Sequence, residues 1–214
     1  MKSFCTPSAG ICCNRRRPVS LGLVVAVAAL LAGCSRPQRT ETRQLSEAGM
    51  SYQSIEAMRA LGVTDAEMAQ LVKVKNAGAS ESTCVSLLRI TRNRNRAFRD
   101  GDAVAALRRV GMSDESVVEL AQADQLGEWV GDVQPMRRAG MSDPIILAMA
   151  RLRAQGRLAL SGPSLARLKN VGMSEETLLE LARRGINEKE VEPIVAERRR
   201  GVSDSEILHQ YPSR

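Results

Sequence analysis

A single histidine, His209, stands in the 214 residues, close to the C-terminus. With no second His or Cys beside it, a metal site or a Cys–His couple would need most of its ligands from carboxylates. The chain also lacks a glycine-rich phosphate loop, a Ser-centred elbow and any paired metal motif. β-Branched alternation is missing as well, while Ala, Leu, Arg and Glu predominate, so nothing reads as strand. The apolar run from Leu21 to Ala32 stops short of the ~20 residues that cross a bilayer. Together these absences point to an all-helical chain without a visible catalytic centre, cofactor or small-molecule substrate.

The N-terminus is organised differently from the rest. Arg15, Arg16 and Arg17 precede the apolar run, and Gly33 and Cys34 close it. A positive flank, a short apolar core and small residues form the order of an export signal. Its end, Leu31-Ala32-Gly33-Cys34, resembles the lipobox of bacterial lipoproteins. The resemblance is confined to this segment. It implies diacylglycerol transfer to the Cys34 thiol, cleavage between Gly33 and Cys34, and acylation of the new amino group. The stretch before the apolar run, Met1 to Ser20, is long for such a signal and raises the prospect of a later translation start. In lipoproteins of double-membraned bacteria, Asp directly after the lipidated Cys favours inner-membrane retention. Ser35 stands there, so the expected location is the periplasmic face of the outer membrane, or the outer face of the cytoplasmic membrane in a single-membraned cell.

Processing changes the charge. The formal value is +7, from 31 basic and 24 acidic residues. Residues 1–33 hold Lys2 and three arginines and no acid, which leaves 27 basic residues and a charge of +3. The basic excess that would hint at nucleic acid thus belongs largely to the signal. Of five cysteines, Cys5, Cys12 and Cys13 leave with it and Cys34 takes lipid, so Cys84 alone remains and no intramolecular disulfide can form.

The remaining chain repeats one pattern: Gly, an apolar residue, Ser or Thr, an acidic or polar residue, two further residues, and a second apolar residue. It starts at Gly49, Gly62, Gly78, Gly111, Gly140, Gly172, Gly185 and Gly201. Gly suits the left-handed position just past a helix end. The Ser, Thr or Asn two residues later is an N-cap. Apolar pairs such as Met112 and Val117 have the spacing of a hydrophobic staple. Thr64 with Glu67, Asn187 with Glu190, and Ser203 with Glu206 have that of capping boxes. The motif therefore stops one helix and starts the next. Degenerate copies at Phe98–Val104, Asp124–Val130 and Ala159–Leu165 complete larger units of about 61 residues, with Leu45, Leu107 and Leu168 in equivalent places.

The expected organisation is a signal over 1–33, a lipidated tether over 34–44, and helical units over 45–97, 98–158 and 159–214. About nine residues remain for each helix. Helices that short are marginal alone, so their apolar faces must be buried against neighbouring repeats. Pro193 predicts a kink, or a helix start moved to around Glu192. The motif is also similar to the first loop of ubiquitin-associated domains and to helix-hairpin-helix elements. Its residue order departs from both, which leaves shared turn mechanics.

Several side chains are candidates for contact rather than chemistry. Arg92, Arg94 and Arg96 lie in the densest basic run, 89–99, which reads as a solvated joint between units or as a patch for anionic head groups. Trp129, the sole tryptophan, belongs either to a contact surface or in a gap between units. Cys84, at a staple position, reads as a buried thiol. The expected function is a non-enzymatic interaction or scaffold module, membrane-bound through Cys34 and meeting an envelope protein or wall polymer. An enzyme using a carboxylate and arginine groove is the alternative, and nucleic-acid binding comes last.

Overall fold

A computed structural model of the chain describes residues 38–127 and 129–212. Cys34, Gly33 and the signal reading over 1–33 lie outside the described residues. Within them are twelve α-helices and no strand. In order they are α1 Gln38–Glu47, α2 Tyr52–Ala60, α3 Asp65–Asn76, α4 Glu81–Asn93, α5 Gly101–Arg109 and α6 Asp114–Gln122. There follow α7 Val130–Arg138, α8 Asp143–Ala154, α9 Gly162–Asn170, α10 Glu175–Arg183, α11 Glu188–Arg199 and α12 Asp204–Gln210. None is long and apolar enough to cross a membrane.

The glycine motif acts as the sequence predicts. Gly111 has φ +83°; its N–H donates to Arg108 O, and Met112 N–H donates to Leu107 O. Those two bonds are a Schellman closure, which satisfies carbonyls the helix end would leave open. Met112 then precedes the Ser113 cap, so one apolar residue closes α5 and opens α6. Capping boxes form at all three expected places: Thr64 with Glu67, Asn187 with Glu190 and Ser203 with Glu206. The left-handed turns of the degenerate copies fall at Asn95, Asp124 and Gly156. There the next cap comes five residues on, at Asp100, Trp129 and Ser161.

Two boundaries differ from expectation. α11 begins at Glu188, not near Glu192, and runs through Pro193. Its capping box fixes the start, and the proline forfeits only one N–H bond, toward Lys189. α1 takes up residues 38–44, where a tether was expected. Among its described side chains only Leu45 is buried, so no apolar periodicity announces it.

The helices pack in two rows. Odd-numbered helices contact each other in sequence order, from α1 with α3 to α9 with α11, and even-numbered helices do the same from α2 with α4 to α10 with α12. Neighbours such as α3 and α4 join the rows. Each 61-residue unit thus holds two helix pairs. The joints between units are continuous, because α3·α5 and α4·α6 cross one and α7·α9 and α8·α10 the other. The core between the rows is aliphatic and rich in methionine: Met58, Leu71, Leu88, Leu107, Met112, Leu120 and Met141 are all fully buried.

The odd row is held close by small residues. A Cβ placed on Gly162 would lie 2.0 Å from Asp132 O in α7, and one on Gly101 would lie 2.6 Å from Gln70 O in α3. Both glycines open their helices, so α9 rests on α7 backbone to backbone, as α5 does on α3.

Candidate functional site

Most of the recurring polar residues turn out to be occupied with one another. Each N-cap serine of the even row meets the acid that opens the next even helix. Ser80 N–H donates to Asp114 Oδ2 at 2.8 Å and Ser113 N–H to Asp143 Oδ2 at 2.8 Å. Ser142 N–H donates to Glu175 Oε1 and Ser174 N–H to Asp204 Oδ2, both at 2.9 Å. The Ser51 hydroxyl donates to Glu81 at 2.5 Å. The series stops at Ser203, the cap of the last described helix, and there its own Glu206 takes over. The odd row does this once, from Ser161 N–H to Glu188.

A guanidinium closes three of the five even-row clasps from the other side, and Lys75 and Lys169 hold its position at the other two. Arg108, Arg137 and Arg198 stand three residues before a motif glycine. Their Nη2 atoms donate to Gly78 O, Gly111 O and Gly172 O of the preceding turn, at 3.0, 2.8 and 2.8 Å. Their Nη1 atoms donate to the carbonyls of Met112, Met141 and Val202 in their own turn. Each also lies 3.1–3.4 Å from the first acid of its following helix, an ion pair lacking hydrogen-bond alignment. Partial burial pushes the carboxyls of Asp114, Asp143 and Asp204 up, but hydrogen bonds from the serine caps and Thr83, Ser116 and Thr177 bring them below the usual carboxylate range.

Arg92, Arg94 and Arg96 belong to this system. Asn95 replaces the turn glycine, so Arg92 holds the guanidinium position; its Nη2 donates to Gly62 O at 2.9 Å. Its fork also grips Glu67, which is 2 % exposed, at 2.7 and 2.6 Å. Glu67 further accepts from Phe98 N–H at 2.8 Å and from the Thr64 N–H and hydroxyl, both at 2.9 Å. Burial alone would raise its carboxyl, yet Arg92 and the Phe98 and Thr64 donors hold it at about 2. Arg94 and Arg96 both close on Asp124, at 2.9 and 3.0 Å. Arg92 therefore ties α4 to α3 and the turn before it, and Arg94 and Arg96 tie the end of α4 to the end of α6.

Trp129 is corrected as a contact residue: it is fully buried. The ring fills the joint where α7 starts without a side-chain cap, and its indole N–H has no partner. Cys84 is fully buried too, and burial pushes its thiol up to about 12. Cys84 should consequently react with a disulfide reagent only as fast as the array opens. Rapid labelling of the native protein, followed by absorbance of the released thiolate, would contradict this. His209 lies in α12 and is exposed. No group of three or more His, Cys, Asp or Glu among the described residues is placed to hold a metal ion.

What the clasps leave open is the outer face of the even row. Depressions lie between α2 and α4, lined by Ala57, Val85 and Arg89, and between α4 and α6, lined by Ser86, Glu115 and Val118. Others lie between α8 and α10, at Ala148, Arg151, Leu179 and Arg183, and between α10 and α12, at Leu208 and His209. A fifth, of about 230 Å³, opens beside Arg94, Arg96 and Asp124 at the end of α4. Sequence reasoning named Arg94 and Arg96 beside the fifth and none of the other four. The signal that could have found them is the apolar residue four places after each first-turn acid.

The arrangement offers shallow, repeated recesses in which the neighbouring charges are largely paired already. No family model matches the chain, and no curated protein is found to be similar to it.

Proposed function

We propose that the protein is a lipoprotein of the cell envelope, anchored through Cys34, whose helical array is a non-enzymatic module for binding another envelope component. The observation that carries the reading is the recurrence of recesses along one row of an unbroken array, beside polar residues that are spent on joining the repeats. Solenoids of this kind present extended faces to their partners. The lipobox-like Leu31-Ala32-Gly33-Cys34 supports the anchor. With α1 starting at Gln38, three residues separate it from Cys34, a reach of about 10–11 Å when extended. The array would then work against the membrane surface, at the periplasmic face of the outer membrane where the cell has two membranes.

Two or three acyl chains make such an anchor stable, at about 0.8 kcal/mol per buried methylene. Mass spectrometry of the mature N-terminus should find cleavage before Cys34 and a mass excess equal to diacylglyceryl plus one acyl group. Cys34→Ser should abolish both and release the chain from membranes on fractionation. A mature chain that keeps residues 1–33, or carries no lipid, would refute the anchor.

A further inference from the structure

Five aliphatic residues of the even row share one register: Val85, Val118, Leu147, Leu179 and Leu208. Each stands four residues after the acid that opens its helix, and so on the same helix face as that acid. Val85 is buried and the other four are half-buried. The four even-row helices from α6 to α12 thus each contribute one partly open aliphatic side chain in line with the buried Val85, and recesses flank four of the five. Four residues further along stand Arg89, Arg151 and Arg183, on one side of this stripe. Arg89 makes no ion pair among the described residues. Arg151 is 63 % exposed with Glu119 as its partner, and Arg183 is 55 % exposed and 4.0 Å from Glu180. The odd row differs. Ala69, Ala105 and Ala166 hold the equivalent positions, and its helices close onto each other at Gly101 and Gly162.

We infer that this face takes an extended acidic–aliphatic segment of a partner polypeptide, laid across the even helices. Adjacent packed helices lie 8–10 Å apart, and an extended chain in the polyproline II conformation advances ~3.1 Å per residue with three residues per turn, so that every third side chain lies on one face. An aliphatic side chain at about every third residue would therefore enter successive recesses. Carboxylates on one edge of the segment would face Arg89, Arg151 and Arg183. A polypeptide suits the stripe better than a wall glycan, because sugar rings stack on aromatic faces and this stripe is aliphatic throughout. The inference rests on the interaction-module reading and adds the surface and the chemistry of its partner.

The test uses the compact unit Pro37–Arg214, without lipid, and labelled peptides of about 15 residues, enough at ~3.1 Å each to cross five helices of the row. One repeats Leu-Asp-Ser, one Leu-Lys-Ser and one Ser-Asp-Ser. Fluorescence anisotropy should show the first binding at least about tenfold more tightly than either other. Leu147→Glu with Leu179→Glu should weaken it about tenfold or more, with an unchanged circular dichroism spectrum. Arg151→Glu with Arg183→Glu, both at exposed positions, should shift preference toward the lysine peptide. Equal binding of all three, indifference to both double variants, or wall glycan fragments displacing the peptide with higher affinity would overturn the proposal. Adducts formed in living cells only from the odd row would also overturn it, while leaving the interaction-module reading in place. Loss of lipid at Cys34 would instead strike that reading alone.

Discussion

Replacing Arg92 with alanine should destabilise the array by about 3–5 kcal/mol, the usual loss when one partner of a buried ion pair is removed. Glu67 would keep its burial and its bonds to Phe98 and Thr64 but lose both guanidinium donors. Leu61 O and Gly62 O, which also accept from Arg92, would lose that partner. Arg92→Lys should recover only part of the loss, since an ammonium cannot supply the planar fork. Urea unfolding measures the change, and hydrogen exchange at the Phe98 and Thr64 amides should accelerate with it. An Arg92→Ala protein as stable as the parent would show that the joint at α3 and α4 does not depend on this pair.

The same carboxylate gives the acid behaviour its sign. Its folded value, about 2, lies below the ordinary 4.5. The stabilisation is therefore fully present above pH ~4.5 and is lost as the pH falls toward 2, on the order of 3 kcal/mol across that window. Asp114, Asp143 and Asp204 are lowered as well and add to the same limb. Glu67→Gln should flatten the stability profile between pH 4.5 and 2 relative to the parent; identical profiles would remove Glu67 as a contributor.

Gly162→Ala should be nearly as damaging. The added methyl would fall 2.0 Å from Asp132 O and 2.4 Å from Asp132 Cα. Those atoms belong to helix backbone and cannot swing away, so α7 and α9 must separate. Overpacking of this kind costs about 1–3 kcal/mol or more. Gly131, in the first turn of α7, has nothing within 4 Å of its would-be Cβ. Gly131→Ala should therefore stabilise by about 0.5–1 kcal/mol, through helix propensity alone. Opposite signs for two glycines on packed helices, read from thermal or urea midpoints, separate close approach from generic glycine effects. Equal effects would remove the backbone contact as an explanation.

The local design of the fold was legible because its determinants lie within a few residues of each other. Gly111, Met112, Ser113 and Val117 identify a helix stop, a cap and a staple without tertiary information, and the three capping boxes form where their spacing places them. What escaped is what acts across about 30 residues. Asp114 in the sequence is only a first-turn acid, fully explained by the helix dipole; the structure adds its bond to Ser80 in the preceding pair. The arginine three residues before Gly111, Gly140 and Gly201 recurs visibly, but its target is a carbonyl in another repeat. Trp129 could not be placed because a large ring in a degenerate motif suits a gap and a surface equally, and only packing decides. Val118 and Leu179 are not singled out by the sequence, since periodicity cannot distinguish an aliphatic residue under a neighbouring helix from one beside an open recess.

Site-specific photo-crosslinking in living cells bears most directly on an anchored module that works through its even row. A crosslinker at Ala148, beside the recess between α8 and α10, should form adducts with the same envelope protein as one at Ser86. Crosslinkers at Gln134 and Arg167 in the odd row should not, and the even-row adducts should weaken or vanish in Cys34→Ser cells. Adducts confined to the odd row, or even-row adducts unchanged when Cys34 is lost, would contradict it.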